Sequence, residues 1–172
     1  MKQLILTFLF YLVFTSLKAQ DNIALKASLG VDGYNISYDD SFFTGGKVGI
    51  EMAVLKKMTV GCSVGYNTAS SKSAVSYFGL DTRYYFGKQL MQGFYSELGL
   101  GYSAFKFKNV PVYKYEQLPK NTLSVLLNAG FQKVTKNNIL LGVKLGIGVF
   151  GPKGSTDPAL RLQGAFEIGY KF

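Results

Sequence analysis

The feature that most restricts this chain is a hydrophobic period of two residues that returns again and again. Residues 139–150 read ILLGVKLGIGVF, with Ile139, Leu141, Val143, Leu145, Ile147 and Val149 in register. The last seven, FEIGYKF, repeat the pattern with Phe166, Ile168, Tyr170 and Phe172. A period of two puts these side chains on one face of a β-strand and their neighbours on the other. After residue 20 no long stretch repeats apolar residues at helical spacing.

Eight such segments are predicted, roughly over 22–31, 47–55, 58–67, 76–86, 93–105, 122–132, 139–150 and 159–172. Most are longer than the common strand of soluble sheets. Their connections alternate in length. LKK (55–57), GKQLMQG (87–93) and QKVTKNN (132–138) are short. The stretches 32–46, 68–75, 106–121 and 151–158 are mostly longer and carry turn-forming residues, including Asp32-Gly33, Pro111, Gly151-Pro152 and Asp157-Pro158. This rhythm predicts one domain of antiparallel strands running up and down, with every long loop at one end.

The two faces differ in kind. One holds Leu, Val, Ile, Phe and Tyr with no charged residue, and includes Cys62. The other holds Lys26, Lys47, Glu51, Asp81, Arg83, Glu97, Lys144, Arg161, Glu167 and Lys171 among many glycines. Glycine weakens a strand and offers nothing to pack, so a water-facing surface has little reason to collect it. The inside of an eight-stranded barrel has a reason, being just wide enough for side chains to fill. The bulky apolar set would overfill that interior. The charges therefore point in, as four acids against six bases, and the apolar face points out. An apolar belt of that size is acceptable only to lipid. Strands of about ten residues tilted near 45° rise roughly 23 Å, close to the apolar band of a membrane barrel. Aromatics gather near both ends: Tyr84, Phe86, Phe94, Phe131, Tyr170 and Phe172 by the short turns, and Tyr66, Phe78, Tyr102 and Phe150 by the long loops.

The first residues follow another rule. Lys2, the apolar run 4–14 and Leu17-Lys18-Ala19 form a secretory signal pattern, which gives a signal peptide over 1–19 and a barrel domain over 20–172. The run is too short to cross a bilayer as a helix.

With a signal pattern, eight dyad strands and a terminal Tyr170-x-Phe172, residues 21–172 resemble the small outer-membrane β-barrel proteins of Gram-negative bacteria. These are of the porin-like outer membrane protein β-barrel domain kind, similar in plan to the eight-stranded OmpA and OmpX barrels. The resemblance implies residence in the bacterial outer membrane. It also implies that Tyr170 and Phe172 are read by the barrel-assembly machinery as an assembly signal.

Catalysis finds little support. The chain has no histidine, so Ser63, Ser103 and Ser124 lack the partner that activates a serine. Cys62 on the lipid face acts as a small hydrophobe. Asp32, Asp39 and Asp40 match no calcium-loop spacing and read as a solvated acidic loop. No catalytic, cofactor or metal site is expected, and no enzyme activity. The inward charges read as a plug of paired side chains, or else as a narrow ion path. The loop 106–121 offers Lys106, Lys108, Lys114 and Lys120 with Tyr113 and Tyr115, candidate contacts for lipopolysaccharide phosphates or a partner surface. The expected partners are outer-membrane lipid, lipopolysaccharide and the assembly machinery, with no nucleic acid, and a monomer is expected. The leading function is a structural or surface-interaction role. The alternatives are a narrow pore or carrier for small solutes or apolar molecules, a lipid-modifying enzyme, and a soluble lipocalin-like carrier with its faces reversed.

Overall fold

The computed structural model describes residues 23–36, 39–70, 73–107, 121–152 and 159–172. The expected signal peptide 1–19 lies outside these, as do loop residues Lys108, Tyr113, Lys114, Tyr115 and Lys120. Eight strands follow one another: β1 (Ile23–Ile36), β2 (Asp39–Leu55), β3 (Met58–Ser70), β4 (Ser73–Tyr85), β5 (Gly93–Phe107), β6 (Asn121–Val134), β7 (Ile139–Pro152) and β8 (Ala159–Lys171). Each pairs antiparallel with the next, and β8 pairs with β1 to close the barrel. Closure removes the open edge, so every strand has a hydrogen-bonding neighbour on both sides. A lipid-embedded sheet requires this, because lipid satisfies no backbone polar group.

The register fixes the tilt. From Ala24 the pairing runs through Glu51, Gly61, Asp81, Gly99, Leu126, Gly148 and Arg161 and returns to β1 at Tyr34, ten residues above its start. Such a stagger inclines the strands by about 40° to the barrel axis.

The faces divide as the alternation predicts. Along β6, Leu123, Val125 and Leu127 are exposed while Thr122, Ser124, Leu126 and Asn128 are buried. Leu98, Leu127 and Leu145 are 55%, 59% and 73% exposed on the outside. Cys62 lies half-buried on the same belt. The aromatics at the short-turn end meet edge to face on that belt: Tyr84 with Phe86, Phe94 with Phe131, and Tyr170 with Phe172, at centroid separations of 5.3, 5.0 and 5.2 Å.

Some expectations on loops and faces need correction. The segments 32–46 and 68–75 are not long loops, because β1 runs to Ile36 with β2 starting at Asp39, and β3 runs to Ser70 with β4 starting at Ser73. Asp32 and Gly33 look like a turn dipeptide, yet they pair with Phe43 and Phe42 inside the β1–β2 ladder. Ladder hydrogen bonds from both flanking strands outweigh the local turn preference. Phe150 does not join the outer girdle. It shares the parity of Lys144 and is buried inside. Ile23, expected outside, is buried at the start of β1.

Candidate functional site

The interior is stacked in four levels. At the short-turn end Ala24, Tyr85, Met91, Tyr95 and Leu140 form an apolar cluster, with Leu90 and Val134 packed against it. Two of these residues come from the β4–β5 connection, which folds its Leu90-Met91 dipeptide under the barrel. Met91 adopts a positive φ of 61°, an uncommon conformation for a non-glycine residue. The turn is held by the Gln132 amide, which donates to the Met91 carbonyl at 2.6 Å. From sequence alone this stretch reads as a plain short turn. The signal it offered was an apolar dipeptide set among polar turn residues.

Above this cluster lies a charged belt centred on Arg83. Its guanidinium meets three carboxylates: Glu97 (Nε to Oε2, 2.6 Å), Glu167 (Nη2 to Oε1, 2.8 Å) and Glu51 (Nη1 to Oε2, 3.4 Å). Lys26 pairs with Glu51 and donates to Gln132 Oε1. Lys144 bridges Glu97 at 3.1 Å and Glu167 at 3.3 Å. The hydroxyls of Tyr85 and Tyr95 rise from the apolar cluster to donate to Glu51 at 2.7 Å and Glu167 at 3.3 Å. Thr59 donates to Glu51 at 2.5 Å and Asn128 to Glu97 at 2.6 Å. Buried carboxylates are tolerable only with this density of partners, since an unpaired buried charge is costly. Asp81 is the least engaged member, 19% exposed and 3.6 Å from Arg83 Nε.

The third level is a separate group built on Asp32. Arg161 Nη2 lies 3.1 Å from Asp32 Oδ1, Lys47 Nζ lies 3.2 Å from Oδ2, and Asn67 donates to the same carboxylate. Both cations lie against the Tyr77 ring, at 4.5 Å for Lys47 and 4.9 Å for Arg161, an arrangement stabilised by the electron-rich ring face. Arg161 also donates to Ser124 Oγ at 3.1 Å. The fourth level, toward the long loops, is apolar again: Phe43, Val75, Phe105 and Phe150 cluster inside, with Phe43 and Phe105 edge to face at 6.1 Å.

The placement of the expected site residues follows from these levels. Lys26, Lys47, Glu51, Asp81, Arg83, Glu97, Lys144, Arg161 and Glu167 all line the lumen and make ion pairs. Lys171 does not join them. It stands half-buried at the barrel mouth beside Ala24, without an ion pair among the described residues. Asp32, read from sequence as part of an acidic loop, takes a place in the network instead. The described interior thus holds Asp32, Glu51, Asp81, Glu97 and Glu167 against Lys26, Lys47, Arg83, Lys144 and Arg161, an even balance. Lys106 is exposed on β5, and Tyr170 and Phe172 face outward.

Glycine makes the packing possible, and the cause is specific. Tyr95 lies opposite Gly130 across the β5–β6 ladder, and a methyl group there would sit 2.4 Å from its ring. Tyr77 lies on Gly79 and Gly101 in the same way, with a methyl group on Gly79 2.2 Å from its hydroxyl. The inward glycines therefore accommodate aromatic rings as well as charged chains. The space left over is small. A hollow of about 40 Å³ lies among Lys26, Lys47, Glu51, Asp81, Arg83 and Lys144, and one of about 10 Å³ lies beside Asp32 and Asn67. A single water needs roughly 10–15 Å³ by the same measure, so the larger has room for a few waters and the smaller for one at most. The larger grooves, of about 810 and 710 Å³, lie on the outer apolar belt around Cys62 and around Leu145.

Solved structures share this architecture. The neisserial surface protein A (NspA) superposes with a TM-score of 0.63 at 11% identity, over 87% of this chain and 97% of that one. The outer membrane protein OprG from Pseudomonas aeruginosa gives 0.56 at 11% identity, over 88% and 96%. The attachment invasion locus protein Ail of Yersinia pestis, solved in complex with the heparin analogue sucrose octasulfate, gives 0.56 at 12% identity, over 88% and 98%. The fold is that of the small eight-stranded outer-membrane β-barrels, porin-like in type and OmpA/OmpX-like in plan. No curated protein matches the sequence. The family described as "Protein of unknown function (DUF3575)" matches residues 5–155, most of the length, and the chain belongs to that family.

Proposed function

We propose that this protein is an integral barrel of the bacterial outer membrane with a structural or surface-interaction role, its lumen closed to solutes. The observation that carries this reading is the order of the interior: a charge-balanced network with an apolar cluster on either side of it. An ion entering from either end meets packed aromatic and aliphatic side chains before it meets water. Export by the segment 1–19, assembly through Tyr170 and Phe172, and lipopolysaccharide contacts from Lys106 and the loop that follows belong to the same reading. With no histidine in the sequence, hydrolytic chemistry lacks its usual general base, and the reading assigns no enzymatic step.

Planar-bilayer recording on the refolded protein tests the closed lumen. The expected trace has no steady openings at either polarity. Large, long-lived openings that scale with salt would overturn the closed-lumen reading and favour the narrow pore.

A further inference from the structure

With the interior charges in balance, the strongly positive formal charge of the chain, +9, must lie elsewhere. Much of it lies at one end. The β2–β3 turn carries Lys56 and Lys57, the β4–β5 connection Lys88, and the end of β6 with its turn Lys133 and Lys136, while Lys171 stands at the mouth. All but Lys171 are exposed, and none of the six makes an ion pair among the described residues. Residues 55–58, 86–93 and 132–139 contain no Asp or Glu. The lysines do not converge on one spot. They are spread around the circumference, contributed by every short connection and by β8.

We propose that this short-turn rim is a lysine collar that binds the phosphate headgroups of anionic phospholipids in the leaflet it borders. This rests on the reading that the barrel spans a bilayer. Three observations favour lipid over a macromolecular ligand. The lysines form a ring, whereas a single epitope needs a patch. Several sit beside the outward aromatics that mark the membrane interface: Lys88 is two residues beyond Phe86, Lys133 two beyond Phe131, and Lys171 lies between Tyr170 and Phe172. A lysine just past the apolar band can lay its alkyl stem along the belt and place its ammonium group among the headgroups. With no acidic residue in the three short connections themselves, the ammonium groups attract mobile anions, and a leaflet containing anionic lipid supplies these at high local density.

The test compares the association of spin-labelled phosphatidylglycerol and spin-labelled phosphatidylcholine with the barrel in phosphatidylcholine vesicles. The proteins are the wild type and a variant carrying Lys56→Gln, Lys57→Gln, Lys88→Gln, Lys133→Gln and Lys136→Gln. At low salt the wild type should prefer phosphatidylglycerol by about threefold or more, and the variant should lose most of that preference. High salt should abolish it in the wild type, because exposed charges are screened beyond about a Debye length. Equal association in the wild type, a preference that survives in the variant, or one indifferent to salt would each overturn the collar. If the wild type restricts neither label, the barrel is not in the bilayer, and the membrane reading fails with it. Co-sedimentation with purified peptidoglycan that the variant loses, alongside equal lipid association, would assign the rim to a cell-wall polymer and overturn the lipid proposal.

Discussion

Arg83 on β4 grips Glu167 on β8 with two parallel hydrogen bonds, Nη2 to Oε1 at 2.8 Å and Nη1 to Oε2 at 3.0 Å. In a ring of eight strands β4 and β8 face each other across the lumen. The pair is therefore a crossbar rather than a contact between neighbours, and Glu51 and Glu97 tie into the same guanidinium from β2 and β5.

Arg83→Leu should leave three buried carboxylates without their shared cation. The expected loss is about 3–5 kcal/mol of stability, the cost of breaking one side of a buried pair. Arg83→Lys should recover only part of it, because an ammonium lacks the planar fork that meets Glu97 and Glu167 together. The chain has no tryptophan, so urea titration in vesicles is best followed by circular dichroism or by the gel shift of the folded barrel.

Asp32 and Asp81 should rank opposite to their prominence in the sequence. Asp32 is 1% exposed and holds Arg161, Lys47 and Asn67, so Asp32→Asn should cost about 3 kcal/mol. Asp81 is partly solvated with one long contact, and Asp81→Asn should cost less than about 1 kcal/mol. The same urea titration gives both values, and a reversed order would show that the upper group is not under electrostatic strain when Asp32 is neutralised.

Gly130→Val should force the Tyr95 ring off the β6 backbone. The ring takes with it the hydroxyl that reaches Glu167 and the face beneath Arg83, 4.7 Å from the guanidinium carbon. Overpacking of this kind costs about 1–3 kcal/mol. Gly151, with nothing within 4 Å of a methyl group placed on it, is the control, and Gly151→Ala should be nearly silent.

Met91→Ala should weaken the short-turn cluster. Truncating a fully buried methionine costs about 2–5 kcal/mol, and Met91 is 0% exposed. Gln132→Ala should act in the same direction by releasing the Met91 carbonyl. Hydrogen exchange at Gln89–Gln92 should rise in both variants while exchange in the middle of β6 and β7 stays slow.

The architecture was legible because a period of two leaves one side of each strand fully apolar, as along Leu141, Val143, Leu145 and Ile147. Only a closed sheet in lipid satisfies that arrangement over eight strands. Strand length was less legible. Beyond the membrane band both faces become polar or mixed, and Asp32-Gly33 then looks like a turn although two neighbouring strands hold it in register. Phe150 was misplaced for a related reason. Its aromatic character suggested the girdle, while its parity with Lys144 on β7 placed it inside. The Arg83 crossbar could be expected only as a set of inward charges, since the meeting of Arg83 and Glu167 across the lumen depends on barrel closure and stagger, which no local pattern encodes.

The central claim is that the apolar face meets lipid while the charged face is sealed from it. Spin labels placed one at a time along β6 at Leu123, Val125, Leu127, Ala129 and Phe131, in a Cys62→Ser background, test it directly. In vesicles, collision with oxygen should exceed collision with a water-soluble nickel complex at every site, with the greatest excess at Val125 and Leu127. Dominant access of the nickel complex at those two sites would contradict the account.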